Sequence, residues 1–305
     1  MNSPGNRHRP LDFLIIGAQK SATTWAQFVL RHHPDIYLPR HETRVFEDPI
    51  YSAGELDKLA SEIARAPVSA KVGIKRPEYL CRPECPPRIA EHSPNAKLVA
   101  LLRNPIERAI SAYFHIVRSG KIEPGTPDRV FQSLLRGDYE PKFAMSILTY
   151  GRYGEAIERY YRSFPREQLL LVLDRDLAKD ERGVYRRICA HLGVSVDHVP
   201  WDISIPRNRG LYNGPLLNVA SALNRSRISF DPVSGLTHIR DSRLASVAKA
   251  AAVFVHRLNS ALSMLVDRPD DTLSAAMRAQ LRDYYAEDIA RTEKLTGFDL
   301  SAWLA

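Results

Sequence analysis

Residues Leu11 to Gly17 are apolar almost without interruption and end on glycine, the pattern of a buried strand that opens into a loop. Directly beyond it, Trp25, Phe28 and Val29 recur at helical spacing within Thr24 to His33, which completes a strand, loop, helix unit. A second unit follows the same grammar. Lys97 to Arg103 forms a near-continuous apolar strand, and Asn104, Pro105 and Glu107 then supply an N-cap, a first helical proline and an acid three residues after the cap. Further apolar runs at Ala70 to Ile74 and Gln168 to Leu173, with helical patterns between them, predict a parallel sheet covered on both faces, hence a three-layer α/β fold. Beyond about Trp201 a basic loop marked by Gly and Pro runs to Pro215, after which the pattern is mostly helical. The last long helix places Leu273, Met277, Leu281, Tyr284, Tyr285 and Ile289 on a shared face, and Gly297 marks its stop.

Composition narrows this picture. With 305 residues, 44% hydrophobic and 26% charged, the chain is expected to form a single domain over residues 1–305, with a flexible start through residue 10 and a helical packing region over about 215–305. Lys and Arg exceed Asp and Glu by 43 to 35, for a formal charge of +8, so nucleotides, polyanionic acceptors and nucleic acid all come into consideration and charge alone does not choose among them. The apolar run Phe13 to Ile16 is too short to span a membrane, and no basic flank with a cleavage site marks a signal peptide; the expected location is cytoplasmic. Cys81, Cys85 and Cys189 are too few for a disulfide framework, and Cys81-Arg-Pro-Glu-Cys85 lacks a second pair of zinc ligands, so free structural thiols are expected.

Two segments carry candidate chemistry. In Gly17-Ala-Gln-Lys20-Ser21-Ala22-Thr23-Thr24, a loop between a buried strand and a helix N-terminus offers backbone N–H groups and the positive end of a helix dipole to a phosphate or sulfate, with Lys20 and three hydroxyls beside them. The spacing departs from the Walker pattern, since Gln19 stands where glycine precedes the lysine there; an ordinary polar turn remains the alternative. In Leu102 to Tyr113, Arg103 ends a central strand and Ser111 lies about two turns into the following helix, a guanidinium and a hydroxyl suited to a second phosphate. Two anion sites at two strand ends suggest a ligand phosphorylated at both ends.

Phe13-Leu-Ile-Ile-Gly-Ala-Gln-Lys-Ser-Ala-Thr-Thr-Trp25 resembles the 5′-phosphosulfate-binding loop of sulfotransferases that use 3′-phosphoadenosine-5′-phosphosulfate (PAPS), and Leu102-Arg-Asn-Pro-Ile-Glu-Arg-Ala-Ile-Ser-Ala-Tyr113 resembles their 3′-phosphate segment. The likeness is to the bacterial and heparan sulfate branch. His33-Pro-Asp-Ile-Tyr37 with Glu42 and Phe46, Lys71-Val-Gly-Ile-Lys75-Arg-Pro, Tyr160 to Val172, and Leu295 to Trp303 are similar to its successive blocks. It implies a P-loop-like sulfotransferase fold, a mostly helical C-terminal part, PAPS as co-substrate and PAP as product, and no metal. Gln19, Lys20, Ser21, Ala22, Thr23, Thr24 and Trp25 would surround the phosphosulfate, Arg103 and Ser111 would hold the 3′-phosphate, and Arg209 and Gly210 would close over the nucleotide. Lys20 would neutralise leaving-group charge, Glu42 would act as general base with His41 as its competitor, and Lys75 would contact the sulfuryl group or the acceptor.

His115 is expected to be a packed residue, and the acidic pairs Asp174/Asp176 and Asp270/Asp271 to cap helices rather than bind metal. The acceptor is expected to be a sugar, polysaccharide or other hydroxylated metabolite, shaped by residues Gly120 to Met145 and Pro215 to His256, with O- or N-sulfation and oligomeric state left open and nucleic acid not expected as a partner. A magnesium-dependent nucleotide kinase and a non-catalytic polyanion-binding protein are the competing readings, the first opposed by the missing Walker spacing.

Overall fold

A computed structural model describes residues 9–198, 214–231, 236–240, 243–262 and 273–305. In chain order the elements are β1 (Phe13–Gly17), α1 (Thr23–Arg31), β2 (Ile36–Tyr37), α2 (Ala53–Ile63), β3 (Lys71–Lys75), α3 (Cys85–His92), β4 (Lys97–Leu102), α4 (Pro105–Arg118), α5 (Pro127–Arg136), α6 (Ser146–Thr149), α7 (Tyr153–Ser163), β5 (Leu169–Leu173), α8 (Asp174–Lys179), α9 (Glu181–Leu192), α10 (Gly214–Arg227), β6 (Ile228–Phe230), β7 (Thr237–Ile239), α11 (Arg243–Leu262) and α12 (Ala275–Thr296). They fall into two compact units: residues 1–104, 152–207 and 288–300 form the first, and residues 105–151, 208–287 and 301–305 the second.

The first unit holds a five-stranded sheet in the order β2-β3-β1-β4-β5, with every pairing parallel. All of β1 and all but the first residue of β4 are buried, as expected of strands covered on both faces, which is why their sequences read as unbroken apolar runs. Alternate residues divide between two layers. Phe13, Ile15, Val99 and Leu101 enter a core with Trp25 and Val29 of α1 and Tyr185 and Ile188 of α9, whereas Leu14, Ile16, Leu98, Ala100 and Leu102, all fully buried, face the opposite layer. Asp288, near the end of α12, accepts hydrogen bonds from the backbone N–H groups of Gly154 (2.9 Å) and Glu155 (3.0 Å), so the start of α7 is capped by a side chain far along the chain. The two-residue β2 is too short to show a pattern in sequence.

Strand order reverses direction between β1 and β4: the chain leaves β1 toward β2 and β3, and leaves β4 toward β5. Loops at the carboxyl ends of those two strands therefore part, which opens a crevice where ligands bind in open α/β sheets. The rim is tightly built. The Ala18 N–H donates to Leu101 O (2.8 Å), and the register between β1 and β4 shifts between Ile15 and Gly17. The segment after β3 lies over the end of β1, with Arg76 N–H donating to Ile15 O (3.0 Å) and Leu80 N–H to Ile16 O (2.8 Å). A side chain at Gly17 would place its Cβ 2.5 Å from Cβ of the fully buried Leu80.

The second unit is mainly helical. Its α4 is buried along most of its length, and Arg108, fully buried, donates to the carbonyl of Ile147, while Tyr285 OH donates to Leu148 O (2.8 Å). Helix α10 packs on α4 and α11, and Asn224 Nδ2 donates to Arg118 O (2.8 Å). The helical expectation for this region misses one feature, the antiparallel hairpin β6–β7 in which Ile228 faces Ile239. Its strands are three residues each, below the length at which alternation stands out. Gly297 ends α12 with φ 73°, as its placement predicted. No helix among the described residues is long and apolar enough to cross a membrane. The three cysteines are free thiols, and burial pushes Cys85 and Cys189 up from the ordinary thiol range.

The close approach at the crevice is testable. Gly17→Ala is expected to lower unfolding free energy by about 1–3 kcal/mol through overpacking against Leu80, whereas Gly54→Ala in α2, where an added Cβ meets nothing within 4 Å, is neutral or stabilising by up to about 1 kcal/mol. Urea denaturation of both variants measures the contrast.

Candidate active site

The loop after β1 is shaped by backbone. Lys20 (φ 69°) and Ala22 (φ 61°) both take the left-handed conformation that non-glycine residues enter rarely, the kind of backbone from which an anion nest is built, with the Ser21 N–H tied back to Ala18 O (3.2 Å). Ala22 is the N-cap of α1 and contributes no side-chain cap, and the first turn carries no acid, so the positive end of the helix is left to the loop. Ser21 is only 1% exposed, and its Oγ has no hydrogen-bond partner among the described residues. A buried hydroxyl without a partner is costly, and an anion seated against the nest would satisfy it. Thr23 is buried, Thr24 half-buried, and Gln19 and Lys20 half-buried. Trp25 belongs to the core and donates its indole N–H to Glu181 of α9. The loop thus fits a phosphosulfate on physical grounds.

At the end of β4, Arg103 is 16% exposed and its Nε lies 3.7 Å from Asp174 Oδ2 at the end of β5. Burial raises the Asp174 carboxyl above its ordinary value against the opposing charge of Arg103. Asp174 is the first residue of α8, with Leu173 at the cap position; its carboxyl accepts from the Arg175 N–H of the first turn and also faces Arg103. Asp176 is 3.7 Å from Arg187, and Asp270 and Asp271 lie outside the described residues, as do Arg209 and Gly210. Ser111 is 7% exposed on α4, in the second unit. His115, also on α4, contacts Arg118 through Nδ1 (3.2 Å).

The third group gathers around the end of β3. Lys75, 4% exposed, reaches Glu42 Oε1 (2.9 Å) and Gln27 Oε1 (3.1 Å). Arg76 Nη1 reaches the other Glu42 oxygen, Oε2, at 3.2 Å. The segment that carries Glu42 is pinned on both sides: Gln27 Nε2 donates to Pro39 O (2.8 Å) and Arg40 O (3.1 Å), and Tyr79 OH donates to Thr43 O (2.7 Å). His41 points elsewhere. Its Nε2 meets Glu62 of α2 at 3.1 Å, with the His41 side chain 65% exposed at an open pocket shared with Asp57, Lys58 and Arg65. The structure therefore joins Glu42, and not His41, to Lys75.

Residues that sequence reasoning passed over complete the cluster. Glu47 is fully buried, and Arg44 (2.7 Å), Arg76 and Arg82 (3.5 Å) converge on it. Glu78 takes Arg76 Nη2 at 2.7 Å and accepts from Gln19 Nε2 of the loop at 3.3 Å. Arg76-Pro77-Glu78 was the available signal, an opposite-charge pair directly after a buried strand. Burial works against the Glu47 charge, but the hydrogen bond and charge of Arg76, joined by Arg82 and Arg44, outweigh it and hold the carboxyl below the ordinary carboxylate range. A carboxyl lowered on folding stabilises the protein above its unfolded-state titration, and that contribution disappears as pH falls through the folded value. Glu47→Ala leaves buried guanidinium charge uncompensated, and is expected to cost about 3–5 kcal/mol at neutral pH and to flatten the loss of stability below the carboxylate range; denaturation between acid and neutral pH measures both.

Residues 10–209 match the family described as Sulfotransferase domain. Heparan sulfate glucosamine 3-O-sulfotransferase 6 of Homo sapiens is 31% identical over 193 residues, 63% of this chain and 55% of that protein. Heparan sulfate glucosamine 3-O-sulfotransferase 3B1 of Mus musculus is 31% identical over 184 residues, 59% of this chain and 45% of that protein. The chain spans about half the length of these curated relatives. Among solved structures, a sulfotransferase from Alicyclobacillus acidocaldarius superposes with a TM-score of 0.65 at 25% identity, over 97% of this chain and 99% of that one. A loop with two left-handed residues after β1, a strand-end arginine and a match through residue 209 agree with one another: the chain belongs to the sulfotransferase family.

Proposed function

We propose that this protein transfers the sulfuryl group of PAPS to a hydroxyl of a carbohydrate acceptor, with Glu42 as general base. The observation that carries the reading is the Glu42 carboxylate, 36% exposed and held between Lys75 and Arg76 at the carboxyl end of a strand adjoining β1. It is fixed in direction yet open to a partner. The loop residues Lys20, Ser21, Thr23 and Thr24, with Gln19 and Ala22 supplying backbone, would hold the phosphosulfate; Arg103 would pair with the 3′-phosphate, to which Ser111 is assigned by the family resemblance. The donor supplies the sulfuryl group and a phosphate leaving group. Glu42 accepts the proton of the acceptor hydroxyl as its oxygen bonds to sulfur, the bond from sulfur to the bridging oxygen breaks, and that electron pair departs with PAP. Lys20 is the loop cation suited to steady the leaving charge. Lys75, anchored by Gln27, holds the carboxylate in direction.

A carbohydrate acceptor is supported by the relatives that are heparan sulfate glucosamine 3-O-sulfotransferases, and the formal charge of +8 is compatible with an anionic one. Calorimetry with PAP and transfer of labelled sulfate from PAPS test the reading. Glu42→Gln is expected to keep PAP affinity and to lose about 10²- to 10⁴-fold in kcat, and Arg103→Ala to weaken PAP about 10- to 100-fold. Wild-type protein that does not bind PAP overturns the assignment, and transfer that survives in Glu42→Gln but fails in His41→Ala moves the base to His41.

A further inference from the structure

The family resemblance assigns roles to Lys75 and Glu42; Arg76 stands in the same block with none assigned. Yet Arg76 meets three carboxylates, Glu42, Glu47 and Glu78. Its backbone N–H is fixed to Ile15 O of β1 (3.0 Å), and its side chain is 12% exposed. Nε and Nη2 both engage Glu47, the latter at 3.2 Å to Oε2, which is a two-point pairing with a fully buried carboxylate. A guanidinium is planar and rigid, so two points of attachment determine where the third nitrogen aims. That nitrogen, Nη1, meets Glu42 Oε2 at 3.2 Å, while Lys75 holds Oε1 at 2.9 Å. Both oxygens of the carboxylate are thus referenced to consecutive residues at the end of β3. Arg44 and Arg82 also converge on Glu47, so its charge is shared among three guanidiniums, of which only Arg76 goes on to Glu42. The same guanidinium continues to the loop, since Nη2 lies 2.7 Å from Glu78 Oε2 and Glu78 Oε1 accepts from Gln19 Nε2 at 3.3 Å.

We propose that Arg76 is a positioning residue for transfer, aiming the Glu42 carboxylate from the buried Glu47, and that Glu78 links this aim to Gln19, so that the grip on the donor and the direction of the base are set together. The proposal rests on Glu42 as the base. Each contact is a charged pair or a hydrogen bond within one compact unit, and coupling of this kind is reciprocal: a donor that orders Gln19 favours the aimed state of Glu42, and the aimed state favours the donor.

The test uses the full chain with Arg76→Gln, Arg76→Lys and Glu78→Gln, PAP calorimetry, transfer from PAPS to de-O-sulfated heparan sulfate, and crystal structures of the two Arg76 variants. Arg76→Gln is expected to lose about a hundredfold in kcat with acceptor KM unchanged and with the Glu42 carboxylate displaced from its place beside Lys75. Arg76→Lys, a point charge without the fork, recovers only part of kcat. Glu78→Gln keeps Glu42 in place and weakens PAP about fivefold. Wild-type kcat in Arg76→Gln with Glu42 unmoved overturns the positioning role, and so does a fall in kcat that only parallels a fall in folded fraction. Unchanged PAP affinity in Glu78→Gln overturns the link to the loop. Failure of wild-type protein to bind PAP overturns the sulfotransferase reading instead, and the displacement of Glu42 in the variant crystals, which needs no acceptor, then decides the Arg76 claim separately.

Discussion

The arrangement of the site depends on the seating of residues 76–80 across the end of β1. Two backbone hydrogen bonds, from Arg76 to Ile15 and from Leu80 to Ile16, hold this segment against a strand that terminates in glycine because nothing larger fits beneath Leu80. One short stretch thereby delivers Lys75, Arg76, Glu78 and Tyr79 next to the loop that begins at Ala18. A site built on strand ends is more rigid than one built on loops alone, and the left-handed residues of the β1 loop are tolerable only because the flanking strand and α1 are buried.

Electrostatics then divides labour among similar carboxylates. Glu47 is sealed from solvent and saturated by three arginines, which makes it an anchor; Glu42 touches two cations but is open on its remaining side, which makes it available. Glu78, intermediate in exposure, bridges toward the loop. The chemistry follows burial and not residue type. His41 illustrates the converse: adjacent in sequence to Glu42, it is drawn to Glu62 on a different helix, and adjacency in the chain places the two side chains in separate surroundings.

The sheet was legible because parallel strands covered on both faces must be apolar at every position, so β1, β3, β4 and β5 stand out as runs, and because Asn104, Pro105 and Gly297 punctuate helices for steric reasons that need no tertiary context. The placement of the β1 loop and of Arg103 at strand ends was legible too, since a strand that runs into a helix is marked locally. The hairpin β6–β7 escaped because three-residue strands do not establish a period. The pairing of Asp174 with Arg103 escaped because Arg103 follows the neighbouring strand, 71 residues earlier in the chain.

By itself, then, the chain's order of residues determined the α/β architecture, the loop after β1 and the identity of the charged candidates, because each of those rests on local periodicity or on groups a few residues apart. Only the tertiary structure decided that Glu42 rather than His41 stands with Lys75, and that Arg76 and Glu78 connect Glu42 to the loop, with Arg76 anchored on Glu47. Ion pairs among side chains far apart in sequence leave no periodic trace; their energies depend on burial and on distances of a few ångströms, which exist only once the strands are packed.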